Sequence, residues 1–170
     1  MRKSFVATAL LLNLSCIPLR VMAQSAESHE AGVDRRGDHA MGFSHETTTH
    51  HFILLADGGI IRVSANAKDD DTTRDQIRMH LTHVAGMFSA NDFDIPMFIH
   101  DRVPPGVSVM KARHEQITYA FESTSTGGQV RITTRDPDAL RAVHDFLKFQ
   151  IEDHRTGDPT AVQPPASPRP

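Results

Sequence analysis

Cysteine is almost missing from this 170-residue chain. The one cysteine, Cys16, lies in an N-terminal segment with the pattern of a removable export signal. The mature chain would then have no thiol and no disulfide, which excludes a cysteine nucleophile and a thiolate metal site. A secreted domain without disulfides must be held together by an ordinary hydrophobic core, and the length allows one such domain.

Several catalytic and cofactor motifs are absent as well. The chain has no Gly-x-Ser-x-Gly elbow, no glycine-rich phosphate loop and no Cys-x-x-Cys-His motif. These absences argue against a serine hydrolase of the common type, a nucleotide-binding fold and covalent haem attachment. After the N-terminal segment, no stretch is long and apolar enough to predict a membrane span.

Excess positive charge is also lacking. The chain has 18 Lys and Arg residues against 21 Asp and Glu residues. Residues 1–23 contain three of the basic residues and no acidic one, so their removal changes the formal net charge from −3 to −6. We therefore expect neither a nucleic acid nor an anionic membrane surface as a partner, because both require a basic patch.

The N-terminus predicts export. Arg2 and Lys3 precede an apolar stretch over residues 5–14, which is too short to span a bilayer. Residues 21–23, Val-Met-Ala, fit a signal-peptidase site, so the mature chain should begin at Gln24. The pattern suits a bacterial periplasmic or secreted protein.

A lipoprotein is the alternative interpretation of the same segment. Cys16 would then be the acylated residue and the first residue of the mature chain. The preceding residues fit a lipobox poorly, because Asn13 stands where leucine is expected. Cleavage before Gln24 is therefore the preferred prediction.

Composition divides the rest of the chain into three parts. Residues 24–45 are polar and charged, which predicts a flexible arm. Residues 155–170 are rich in proline, which predicts a disordered tail. Between them, residues 46–154 should form a single domain.

This domain has a weak internal repeat. Two β-rich segments, residues 50–66 and 116–134, each contain a Gly-Gly pair that is typical of a tight hairpin. A helical pattern follows each one, over residues 71–88 and 137–153, and Asp136 fits the N-cap of the second helix. The order predicts an α+β fold, a duplicated ββα-ββα unit with two helices packed on one face of an antiparallel sheet.

Each helical segment has an apolar stripe that should face the core. The two stripes contain Ile77, Leu81, Val84 and Phe88 in the first helix, and Leu140, His144, Leu147 and Ile151 in the second. We expect His144 to be a core histidine satisfied by hydrogen bonds, since that is commoner than a metal ligand on an apolar stripe.

The abundance of soft ligands stands against the lack of cysteine. The chain has eleven histidines and seven methionines. Imidazole suits zinc, copper, iron and nickel, and thioether favours Cu(I). Metal binding by imidazole and thioether is therefore the leading interpretation, with copper first and zinc second.

The predicted metal site is built around one helix. His80 and His83 lie three residues apart, so their side chains share a helix face. His51 is the candidate from the first hairpin, because it alternates in register with Ile53. His100, from the long connector between the two halves, completes the set. Met87 and Met97 are additional ligands if the ion is Cu(I).

The remaining histidines receive a plainer interpretation. His-x-x-His alone is a weak motif, and the glutamate of a zinc metalloprotease helix is replaced here by Leu81. Five histidines in tails or at the edges of elements are expected to be solvated: His29, His39, His45, His114 and His154. Met41 could add a ligand from the arm, on a faint signal.

Four sequence stretches resemble a group of small exported bacterial proteins of unassigned function. They are Met-Gly-Phe at residues 41–43, Thr-Thr-Thr-His-His-Phe at 47–52, Gln-Ile-Arg-Met-His-Leu-Thr-His at 76–83 and Phe-Leu-Lys-Phe-Gln-Ile at 146–151. The resemblance covers about residues 41–157. It implies no activity and no site.

The sequence thus predicts a periplasmic metal-binding protein for sequestration, delivery or tolerance, with another periplasmic protein as a candidate partner. The main alternative is a metal-free interaction or ligand-binding module whose histidines are surface and core residues. A small hydrolase that uses His and Asp ranks third.

Overall fold

The computed structural model describes residues 28–164, and the predicted signal segment with Cys16 lies outside this range. The described chain is an α+β fold. In order, its helices and strands are α1 (His29–Met41), β1 (Thr48–Leu55), β2 (Gly58–Ala65), α2 (Asp71–Ser89), α3 (Asp94–His100), α4 (Val107–Ala112), β3 (Ile117–Ser123), β4 (Gly127–Thr134) and α5 (Pro137–Asp153). Over residues 28–164, no helix has the length and apolar character needed to cross a membrane.

The four strands form one antiparallel sheet in the order β1-β2-β4-β3. The Gly-Gly pairs begin β2 and β4, as the hairpin pattern predicts. Gly58 has a φ of 143°, and a Cβ atom there would collide with the carbonyl oxygen of Ile132 on β4. Glycine at this position therefore lets the two central strands approach each other.

Helices α2 and α5 pack on the sheet through the predicted stripes. Leu140 is half-buried, and the other apolar stripe residues are buried: Ile77, Leu81, Val84, Phe88, Leu147 and Ile151. They share one hydrophobic cluster with strand residues such as Phe52 and Val130. His144 is half-buried at the edge of the core, and its Nε2 atom lies 2.9 Å from the carbonyl oxygen of Leu55, so the predicted hydrogen bond is present.

The N-terminal part differs from the prediction. A flexible arm was expected over residues 24–45, but residues 29–41 form α1. The Ser28 hydroxyl caps the helix by accepting the N–H of Ala31, and the helix ends where Gly42 takes a φ of 77°. Val33 is fully buried. The polar composition gives no helical signal here, because the helix is stabilised mainly by packing against the rest of the domain.

The connector and the tail are also structured. Residues 89–115 contain α3 and α4, which bury Ile99 and Met110. The expected disordered tail instead follows the outer edge of β1 over its described residues. There the Asp158 carboxylate accepts the N–H of Phe52 at 2.9 Å, and the N–H of Gln163 donates to the carbonyl of Leu54 at 2.8 Å.

Candidate functional site

Three imidazoles and one thioether line a single cavity beneath the helices. We call Met41, His50, His80 and His154 the histidine–methionine cluster. Met41 is the last residue of α1, His50 points from β1 toward the helices, His80 lies on α2, and His154 caps the C-terminus of α5. The end of α1, strand β1, helix α2 and the C-terminus of α5 thus supply the cluster.

His50 is the centre of this arrangement. Its Nε2 atom lies 3.2 Å from Sδ of Met41. Its ring is parallel to the ring of His154 within 4°, with 6.2 Å between the centroids. Phe52 covers His154 at 5.5 Å, and Phe43 meets the ring of His80 edge-on at 5.8 Å. The imidazoles are therefore packed against aromatic and apolar side chains.

Burial keeps these imidazoles neutral. Burial, with the neighbouring His80, lowers the pKa of His50 from 6.5 to about 4. Burial and the nearby His83 lower the pKa of His80 to about 4. Burial, followed by the proximity of His100 and His50, lowers the pKa of His154 to about 3. At neutral pH each ring retains a nitrogen lone pair, which is the form that binds a metal ion.

His100, a predicted ligand, is occupied by hydrogen bonds. It is only 1% exposed. Its Nδ1 atom lies 2.6 Å from an Asp153 oxygen, and its Nε2 atom lies 3.0 Å from Oε1 of Gln150. Its ring meets His154 edge-on, with 4.9 Å between the centroids. Because both ring nitrogens of His100 are hydrogen-bonded, neither is available to a metal ion. His100 instead packs against His154 of the cluster.

His51 lies on the face of the sheet opposite the helices. Along β1 the fully buried positions are Thr48, Phe52 and Leu54, so the even-numbered residues face the core. His51 and Ile53, which alternate with these residues, therefore lie on the face away from the helices, and the reason for choosing His51 was wrong. The Nδ1 atom of His51 lies 2.8 Å from the Asp158 carboxylate in the C-terminal segment.

The other predicted ligands are scattered. His83 is exposed, one turn along α2 from His80, and Met87 and Met97 are half-buried. The structure therefore does not bring the predicted quartet of His51, His80, His83 and His100 to one point. Among residues 28–164, no group of three or more His, Cys, Asp or Glu side chains is arranged to hold a metal ion.

Two cavities meet at the cluster. A polar cavity of about 220 Å³ opens beside α1 and is lined by residues that include Asp34, Thr49 and Arg155. An apolar cavity of about 70 Å³ lies between the sheet, α2, α3 and α5. Met41, His50 and His154 line both cavities, so they form the wall between them.

Two cluster residues, His50 and His154, were not predicted as ligands, and Met41 was predicted only as an additional ligand from the arm. His51 was chosen over His50 because apolar residues occur on both faces of β1, so the sequence pattern does not show which face is buried. His154 lies just beyond the predicted helix, where a solvated side chain is the ordinary expectation. Met41 belongs to a helix that the polar composition conceals, although its proximity to His39 was a faint signal.

Comparisons with known proteins give no relative from which a function could be transferred. Searches against protein-family models, curated proteins and solved structures found no match to this chain.

Proposed function

We propose that this protein binds a soft transition-metal ion, copper before zinc, at the histidine–methionine cluster. The observation that carries the proposal is the 3.2 Å approach of His50 Nε2 to Met41 Sδ. A thioether is a weak hydrogen-bond acceptor, so this contact gains little as a hydrogen bond. Imidazole nitrogen and thioether sulfur together are a ligand pair that suits Cu(I).

A third ligand would come from a neighbouring imidazole. Zinc sites and other tight sites use three or four ligands, and Met41 and His50 supply two. His154 stacks beside His50, and His80 lines the same cavity. Rotation of either ring toward the His50–Met41 pair would complete a three-coordinate site. The polar cavity beside α1 gives the ion a route to it.

The expected loss of binding can be tested with matched variants. Cu(I) competition against a chromophoric chelator would compare the wild type with the double variant Met41→Leu/His50→Gln. Losing two of three ligands should weaken Cu(I) binding by at least about tenfold, equivalent to about 1.4 kcal/mol. The control is Met79→Leu/His83→Gln on α2, where Met79 is 70% exposed and His83 is also exposed.

The two variants separate the possible outcomes. Unchanged affinity in the control together with a loss in Met41→Leu/His50→Gln supports the cluster. Weaker binding in the control together with unchanged affinity in Met41→Leu/His50→Gln would instead place the site at the His80–His83 pair. Wild-type binding of copper and zinc no tighter than millimolar would remove the metal proposal.

We also propose that the protein is exported and that it sequesters or delivers the metal ion, or provides tolerance to it, outside the cytoplasm. The support is the signal-peptide pattern of residues 1–23. Intact mass of the protein recovered from its native host should correspond to a chain that begins at Gln24. A lipid-modified chain that begins at Cys16 would contradict this cleavage site.

The two ββα halves are proposed to be an internal duplication. The support is a reciprocal contact at the two hairpins. A Cβ atom on Gly58 of β2 would collide with the carbonyl oxygen of Ile132 on β4, and one on Gly127 of β4 would collide with the carbonyl oxygen of Val63 on β2. Gly58→Ala and Gly127→Ala should therefore lower the free energy of unfolding by similar amounts in urea titrations. Strongly unequal losses would argue against equivalent positions.

A further inference from the structure

The apolar cavity contains a buried polar group that no residue in the described part of the chain hydrogen-bonds. Gln150 of α5 is only 4% exposed and lines this cavity. One end of its amide is held by His100 at 3.0 Å. The other end, Nε2, is buried and has no hydrogen-bond partner among residues 28–164. A buried polar atom left unpaired typically costs about 1–3 kcal/mol, so its presence here requires an explanation.

The cavity walls explain what kind of molecule could provide that partner. Eleven of the fifteen lining residues are apolar, and they include Phe52, Ile61, Leu81, Val84, Ile95 and Phe146. A space with these walls therefore suits a molecule with an apolar body.

The size of the cavity limits the ligand. Its volume is about 70 Å³. An apolar cavity of about 150 Å³ in an unrelated protein accommodates benzene, so about half that space suits a molecule of roughly three to five heavy atoms.

We infer that this cavity binds a small neutral alcohol, with its alkyl part against the apolar walls and its hydroxyl on the free end of the Gln150 amide. A hydroxyl both donates and accepts, so it pairs with either end of a glutamine amide. This inference does not rest on metal binding. The ligand occupies the apolar side of the wall that Met41, His50 and His154 form.

The test compares two probes of the same shape in chelator-treated protein. Propan-2-ol and 2-methylpropane differ only by a hydroxyl in place of a methyl group. Both should cause saturable shifts in the methyl NMR signals of Ile61, Leu81 and Val84. Gln150→Leu should weaken propan-2-ol binding about fivefold, the equivalent of one hydrogen bond, and leave 2-methylpropane binding no weaker.

A second variant keeps the test informative if Gln150→Leu does not fold. Ile95 is a half-buried residue of the cavity wall, so Ile95→Phe should fill the space and abolish binding of both probes. The matched control is Val109→Phe on α4, where Val109 is 41% exposed and the new ring has room in solvent. This control should bind both probes like the wild type.

Four results would overturn the inference. The first is the absence of saturable shifts with either probe in the wild type. The second is binding of 2-methylpropane alone, which would indicate a purely apolar void. The third is an equal effect of Gln150→Leu on the two probes. The fourth is unchanged binding in Ile95→Phe, which would place the probes elsewhere. Because the protein is metal-free throughout, none of these results depends on the copper proposal.

Discussion

The rings of His50 and His154 lie parallel within 4° and 6.2 Å apart, although they are separated by more than a hundred residues in the chain. One comes from β1 and the other from the C-cap of α5. A pair of charged imidazoles at this distance would repel each other, so the arrangement requires neutral rings.

Acid should destabilise the fold well before the carboxylates titrate. His50, His80 and His154 have pKa values of about 4, 4 and 3 in the folded chain. An unfolded histidine titrates near 6.5, so the unfolded chain binds more protons below that pH. The contribution of these histidines to the free energy of unfolding should therefore be greatest above pH 6.5 and should decrease as the pH drops toward 4. We expect a loss of about 1–2 kcal/mol per histidine at pH 5.

Urea unfolding at pH 7.5 and pH 5 measures this loss. His50→Gln should flatten the dependence because one titrating group is removed. The exposed His83→Gln variant should retain the larger part of the dependence. Equal stability of the wild type at both pH values would show that the three rings are not buried as neutral imidazoles.

Metal binding at the histidine–methionine cluster should resist acid. Imidazoles with ordinary pKa values near 6.5 lose metal below about pH 6 because protons compete for the nitrogen. The pKa of His50 is about 4, so competition at that ligand begins some two pH units lower. Cu(I) affinity measured between pH 7.5 and 5 should change little. A steep loss below pH 6.5 would instead indicate solvated histidine ligands.

The Asp158 carboxylate should hold the C-terminal segment on β1. One of its oxygens accepts the N–H of Phe52 at 2.9 Å, and the other lies 2.8 Å from His51. Asp158→Ala should release the segment and raise the hydrogen-exchange rate of the Phe52 amide at least about tenfold, since a bond to a charged group contributes about 1.5–3 kcal/mol. Asp69→Ala, at an exposed position, is the control. Unchanged exchange at Phe52 would mean that other contacts hold the segment.

Leu81 should be essential for the core. It is 1% exposed and lies on the buried stripe of α2. Leu81→Ala should lower the free energy of unfolding by about 2–5 kcal/mol, the usual range for a buried leucine, and Leu81→Asp should unfold the domain because it buries an unpaired charge. Met79→Ala on the exposed side of α2 should change stability by less than about 0.5 kcal/mol. A folded Leu81→Asp variant in circular dichroism would contradict the packing.

The sequence predicted the elements whose signals are local. Gly58 and Gly127 mark the two hairpins, and Asp136 caps α5 through the N–H groups of Asp138 and Ala139. Helix α1 was not predicted because Val33 is its one fully buried large side chain. A single apolar residue does not produce the 3.6-residue hydrophobic period that identifies a helix. Its stability comes from contacts such as the bond from Arg36 to the carbonyl of Ile99, which no local pattern contains.

The site was predicted less completely than the fold. His80 was identified from its position on a helix flank, and the structure places it in the cluster. The choice between His50 and His51 depended on which side of β1 the helices cover, and this is decided by strand pairing across the sheet. His154 contacts His50 and Phe52 only when α5 packs beside β1, so the residues next to it in the sequence do not predict these contacts.

The C-terminal segment also protects an open strand edge. β1 lies at the end of the sheet, where unpaired N–H and carbonyl groups can recruit the strand of another molecule. The Asp158 carboxylate and the Gln163 backbone occupy two of these groups. A chain shortened to residue 154 would expose that edge. Such a chain should self-associate through β1, and its solubility would then decline with concentration even where the core remains folded.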